Sequence, residues 1–134
     1  MAVLRDETVA LRSVDDIIKA RRLVRDCSVA EGFSLVDQTK LVTAASELAR
    51  NTLVHGGGGE MRLRVLHDGA RRGIKVSFVD QGRGIEDLDA AMKDGFSTVG
   101  GLGLGLGGAK RLVNEFDIES KPGKGTTVTI VRWK

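Results

Sequence analysis

A chain of 134 residues is read as one domain, 1–134, able to bury roughly two thirds of its unfolded surface. Apolar residues at 41% and charged residues at 29% are ordinary for a globular protein. A net charge of only +3, scattered Lys and Arg, and aromatics at 4% argue against nucleic-acid partners and against base-stacking platforms.

Thr8–Arg12 is predicted as a short strand. Ser13 then opens Ser-Val-Asp-Asp, an N-cap with an acid at its third position, and Val14, Ile17, Ile18, Val24 and Cys27 keep helical spacing to about Ala30. Gly32 closes that helix. Ser34 starts a second, again with Asp three residues on, and Leu41, Ala45, Leu48 and Thr52 form its inner stripe. Cys27 is the single cysteine, so an internal disulfide is excluded; its place on the apolar side of the first helix reads as a buried small hydrophobe. Met61, Leu63 and Val65 alternate with Arg62 and Arg64, and Ile74, Val76 and Phe78 with Lys75 and Ser77, giving two strands paired through Asp68–Gly73. Leu88, Ala91 and Met92 mark a short helix; Leu112, Val113 and Phe116 mark another. Ile118–Lys121 and Thr126–Trp133 form a closing hairpin around Pro122–Gly125. Hairpins with helices grouped between them predict an α+β two-layer sandwich. The N-terminus meets Arg5, Asp6 and Glu7 before any apolar core, and no apolar run reaches bilayer-spanning length, so no signal peptide or membrane partner is expected and the expected location is cytoplasmic.

Glycine is the compositional anomaly: of 18, four fill Gly56–Gly59 and seven fall between Gly95 and Gly108. Such local density serves backbone approaches that a side chain forbids. Gly100–Gly108 alternates glycine with leucine ahead of a helical pattern, and successive N–H groups there make an anion cradle. It is not a P-loop, because no Gly-Lys-Ser/Thr follows.

Glu47 and Asn51 lie four apart on one face of the second helix, where a carboxylate and a carboxamide can orient a proton acceptor beside a hard divalent cation. Taken alone, the pair reads first as the solvated edge of an amphipathic helix. Asp80 continues the parity of Ile74, Val76 and Phe78 and should face the core side, where a carboxylate needs a strong donor such as a purine amino group or a backbone N–H of the following turn. Gly82 and Gly84 follow in Asp80-Gln81-Gly82-Arg83-Gly84, allowing close approach by a flat ligand or simply a tight turn. Thr126 shares parity with Val128 and Ile130 and should face the same interior as Asp80.

In order, Glu47…Asn51, Asp80-x-Gly82-x-Gly84, Gly101-x-Gly103-x-Gly105 and Gly123-x-Gly125-Thr126 resemble the N, G1, G2 and G3 boxes of the GHKL (Bergerat-fold) ATP-binding proteins, across essentially the whole chain. Asp94–Thr98, Gly101–Gly105 and Glu115–Ser120 are similar to the RsbT-type switch protein/serine kinases of the anti-sigma regulatory factors. The resemblance implies the Bergerat fold, a mixed and mostly antiparallel sheet with helices on one face. It implies a serine/threonine kinase dependent on ATP and Mg²⁺ that phosphorylates a STAS-domain antagonist and switches partners, for instance to a PP2C-type phosphatase it activates, in a stress or sigma-factor pathway. The alternative is an anti-sigma factor that sequesters a sigma factor, with ATP setting partner choice.

By the same resemblance Glu47 is the general base and Asn51 the Mg²⁺ ligand. Asp80 and Thr126 read adenine, Gly82 and Gly84 admit it, and Gly101, Gly103 and Gly105 bring N–H groups to the phosphates. Ser97–Gly108 holds no Arg or Lys, which leaves Lys110 or Arg111 as phosphate-facing cations. His55, one turn after Asn51, reads as a helix-end residue favoured by the macrodipole rather than as a catalytic group.

Overall fold

As a computed structural model, the structure describes residues 2–85, 92 and 105–134. Among the described residues these elements follow in chain order: β1 (Ala2–Leu11), α1 (Val14–Ala30), α2 (Leu35–Val54), β2 (Gly59–Asp68), β3 (Arg71–Asp80), α3 (Gly105–Arg111), β4 (Glu115–Ser120) and β5 (Thr126–Trp133). The strands form a five-stranded sheet in the order β1-β2-β3-β5-β4. Every pairing among the described residues is antiparallel.

Both long helices start as their sequences dictate. The Asp16 carboxylate reaches back to accept from the Arg12 and Ser13 amides at 2.9 and 3.2 Å, and the Ser34 hydroxyl accepts from the Asp37 amide at 3.1 Å. The bonds from Ser13 and Asp37 satisfy donors at the helix starts that have no partner within the helix, and the one from Arg12 ties down the residue before the cap. The core lies between α1, α2 and α3 and one face of the sheet, where Leu41, Ala45 and Leu48 meet Met61, Leu63, Ile74, Val76, Phe78 and Ile130, all essentially sealed from water. Each such large side chain contributes about 1.5–3 kcal/mol by burial. Cys27 is fully buried, and burial pushes its thiol up to about 11, so it stays protonated and serves as core.

Three expectations change, and a fourth falls largely outside the described residues. β1 runs from Ala2 rather than Thr8, an edge strand whose exposed polar residues mute the alternation. α1 buries Ile17, Ala20, Val24 and Cys27, which turns Val14 and Ile18 outward to 69% and 48% exposure. The helix expected around Leu112, Val113 and Phe116 ends at Arg111. Its core contacts are Leu106 and Ala109, and Phe116 instead sits on β4 opposite Ile130. The short helix expected at Leu88, Ala91 and Met92 lies outside the described residues except for Met92, which is helical. Among the described residues no helix is long and apolar enough to cross a membrane.

Candidate functional site

Asp80 ends β3 on its inward-facing register, between Gly59 of β2 and Thr126 of β5. That places Asp80 and Thr126 side by side as a cross-strand pair, close enough for both side chains to touch one small group. One carboxylate oxygen, Oδ1, accepts from the Gly82 amide at 2.9 Å. Burial pushes the Asp80 carboxyl above its usual range, against the pull of the Gly82 and Thr126 amides. A half-buried carboxylate raised this way still has acceptor capacity to give to a donor from outside.

The C-terminus of α2 is folded against this carboxylate. The Asn51 carbonyl accepts from both the His55 and Gly56 amides, at 2.9 and 3.1 Å, and the Thr52 carbonyl accepts from Gly58 at 3.0 Å. The chain thus leaves the helix through Gly56–Gly58 directly alongside Asp80. A Cβ on Gly56 would lie 2.4 Å from Asp80 Cγ and 2.5 Å from Oδ2, and one on Gly82 would lie 2.8 Å from the Gly56 carbonyl. Residues 56, 80 and 82 therefore close on one another only because two of them lack side chains.

Gly84 serves a different end. Its φ is +77°, and a Cβ would lie 2.1 Å from the Lys121 carbonyl, so it packs the loop after β3 onto the β4–β5 turn. The Gly123 amide donates to the Arg83 carbonyl across the same seam at 2.6 Å.

Glu47 and Asn51 sit on the adjoining face of α2, both partly buried. The Glu47 carboxylate has Arg50 at 3.5 Å, an exposed pair one helical turn apart that contributes little. Asn51 differs: its Nδ2 is buried and has no hydrogen-bond partner among the described residues. A half-turn of the amide exchanges Nδ2 with Oδ1, so the carboxamide is available to a ligand either as a donor or as a hard oxygen. Among the described residues no cluster of three or more His, Cys, Asp or Glu could cage a metal. That donor set suits Mg²⁺, which takes one or two protein oxygens and completes its shell from phosphates and water.

His55 caps α2 as expected, but its pKa is lowered, first by burial and then by the nearby Arg83. Desolvation and a like charge both disfavour the imidazolium. Gly105 opens α3, while Gly101 and Gly103 lie outside the described residues. Lys110 and Arg111 occupy the last turn of α3, at its opposite end from Gly105, and both are exposed.

Two contributors were missed in the sequence. Gly56 belonged to a glycine run already conspicuous, but its contact with Asp80 joins positions 24 apart in the chain. Ser120 hydrogen-bonds Thr126, Gly125 and Ile85. It lay within the strand expected at Ile118–Lys121, but nothing local pointed its hydroxyl at the turn before β5.

The model of the histidine kinase-, DNA gyrase B-, and HSP90-like ATPases matches residues 36–134. The serine/threonine-protein kinase RsbT of Bacillus subtilis is 45% identical over 118 residues, covering 88% of this chain and 89% of that protein. An anti-sigma F factor of Thermoanaerobacter is 32% identical over 97 residues, covering 68% of this chain and 66% of that protein. Among solved structures, the RsbU and RsbW domains of a Mycobacterium tuberculosis protein align with a TM-score of 0.66 at 22% identity, covering 96% of this chain and 32% of that one, a likeness of fold.

Proposed function

The chain belongs to the histidine kinase-, DNA gyrase B-, and HSP90-like ATPase family, and from that premise we propose that it moves the γ-phosphoryl group of ATP onto a serine or threonine of a STAS-domain protein. It is a serine/threonine-protein kinase that works by partner switching. After transfer it releases the phosphorylated antagonist and engages a second protein, a PP2C-type phosphatase that it activates. The observation that carries the reading is the meeting of α2 with the end of β3. The chain leaves α2 one turn after Asn51 and passes against Asp80 at Gly56, where a Cβ has no room, which supports a common site for Asn51, Glu47 and Asp80.

The residues divide the work. Asp80 accepts from the adenine amino group, and Thr126 contributes its hydroxyl oxygen beside it. Gly82 keeps the wall next to Asp80 flat for the base, and Gly84 holds that wall on the β4–β5 turn. Asn51 would hold Mg²⁺ through Oδ1, and the ion would supply charge neutralisation at the phosphates. The amides of Gly101, Gly103 and Gly105 contact the phosphates. Glu47 takes the proton from the attacking serine or threonine hydroxyl as its oxygen bonds to the γ-phosphorus and the bond to the ADP oxygen breaks. Phosphoryl transfer of this kind needs positioning and charge neutralisation more than covalent assistance from the protein.

Incubation of the chain with γ-labelled ATP, Mg²⁺ and a candidate STAS-domain protein is expected to label serine or threonine. A STAS protein that binds the chain but takes up no label overturns the assignment of substrate. A second reading is favoured by the likeness to an anti-sigma F factor: sequestration of a sigma factor, with ATP setting partner choice. Co-purification of a sigma factor in place of a STAS protein supports that reading against the first.

A further inference from the structure

The Ser120 hydroxyl takes no part in the chemistry above, yet it joins three segments at the base end of the site. It accepts from the Ile85 amide at 2.8 Å, and it lies 3.1 Å from the Gly125 carbonyl and 2.8 Å from the Thr126 hydroxyl. A serine hydroxyl has one proton and two lone pairs. Gly125 is buried, and a buried carbonyl without a donor is costly, so the Ser120 proton goes to it. The Ile85 amide occupies one Ser120 lone pair. The other remains for Thr126, which must therefore donate. The proton inventory of all three groups then closes with no member left over.

The consequence falls on Thr126. Its single proton is committed to Ser120, so the oxygen it offers beside Asp80 can only accept. Asp80 next to it, when ionised, is likewise an acceptor. We propose that Ser120 is a specificity-determining positioning residue: by fixing Thr126 as an acceptor, it makes the base end of the site select a purine with an amino group at C6 over one with an oxo group. This rests on the adenine-binding role given above to Asp80 and Thr126. It adds that nucleotide choice is set by a residue which never touches the nucleotide.

The test compares the Kd of ATP with that of inosine triphosphate, which carries an oxo group at C6, by calorimetric titration of the full chain with Mg²⁺. The wild type is expected to prefer ATP. In Ser120→Ala the Thr126 proton is freed to donate to an oxo group, and the preference for ATP should fall roughly tenfold, the change expected when one hydrogen bond reverses sense. Ser120→Thr, which retains the hydroxyl, should restore it. In a Thr126→Val background, Ser120→Ala should leave the ratio unchanged. A purely structural Ser120 moves both affinities together, so an unchanged ATP-to-inosine ratio in Ser120→Ala overturns the proposal. If Ser120→Ala shows no cooperative thermal transition, the same ratio in Ser120→Cys, whose thiol is a weak donor and acceptor, decides in its place. A wild-type chain that binds neither nucleotide overturns the nucleotide site itself, an outcome distinct from loss of selectivity alone.

Discussion

Replacing Asp80 by asparagine should separate what this carboxylate does for the ligand from what it does to the fold. Asparagine is nearly isosteric, and its Oδ1 can keep the 2.9 Å bond from the Gly82 amide, so the loop after β3 should hold its path. At the second oxygen, packed against Gly56, a charged acceptor becomes an NH₂ donor facing the adenine amino group. Loss of a charge-assisted hydrogen bond costs about 1.5–3 kcal/mol, or roughly ten- to more than a hundredfold in Kd. The effect on the unliganded fold has the opposite sign. Burial raises the Asp80 pKa above the ordinary 3.8, so the group's stabilising contribution is present below about 3.8 and is lost as pH rises through the folded value. Burial thus disfavours the charged form in the apo protein, and a neutral amide at this position avoids that cost. Titration calorimetry should find ATP binding weakened to that extent, while thermal unfolding at pH 7 without nucleotide shows an unchanged or higher Tm. Undiminished ATP affinity, or an apo variant that melts clearly earlier than wild type at pH 7, would refute the reasoning.

Three other substitutions probe separate parts of the account. Glu47→Gln should leave the Kd for Mg·ATP within about twofold and slow label transfer roughly 10²–10⁴-fold, the usual contribution of a general base, as read in single-turnover assays. Gly56→Ala forces a methyl to within 2.5 Å of the Asp80 carboxylate, and should cost about 1–3 kcal/mol in urea unfolding together with most nucleotide affinity. Asp37→Ala removes the acceptor of the 2.6 Å bond from Arg132 Nη2, in a pair that ties the start of α2 to β5. It should lower stability by about 1–3 kcal/mol with little effect on the Kd for ATP, because the pair lies at the far end of α2 from Asn51.

The parts of this site that could be read from the sequence were those governed by local periodicity. Alternation from Ile74 to Phe78 carried Asp80 to the inner face, and the same logic turned Thr126 to that interior; their pairing across β3 and β5 is a fact of the sheet order. Four-residue spacing put Glu47 and Asn51 on one helical face. Where two periods fit a short stretch equally well, the reading failed: Leu112, Val113 and Phe116 satisfy helical spacing, yet pairing with β5 draws Glu115–Ser120 into a strand. Val14 and Ile18 also match the apolar stripe of α1, but the direction from which α2 and β1 approach leaves them in water. The contact of Gly56 with Asp80 and the hydroxyl relay through Ser120 arise from packing between distant segments. No local pattern encodes them, although each depends on a residue type, a missing side chain or a small hydroxyl, already visible in the chain.

The central claim is that Asn51, Asp80 and Thr126 line one nucleotide site. Titration of the purified chain with ATP, with and without Mg²⁺, tests it most directly. Saturable one-to-one binding is expected, weakened when Mg²⁺ is chelated and weakened independently of Mg²⁺ by Asp80→Asn. No heat of binding with Mg²⁺ present, or binding indifferent to Asp80, would contradict the account.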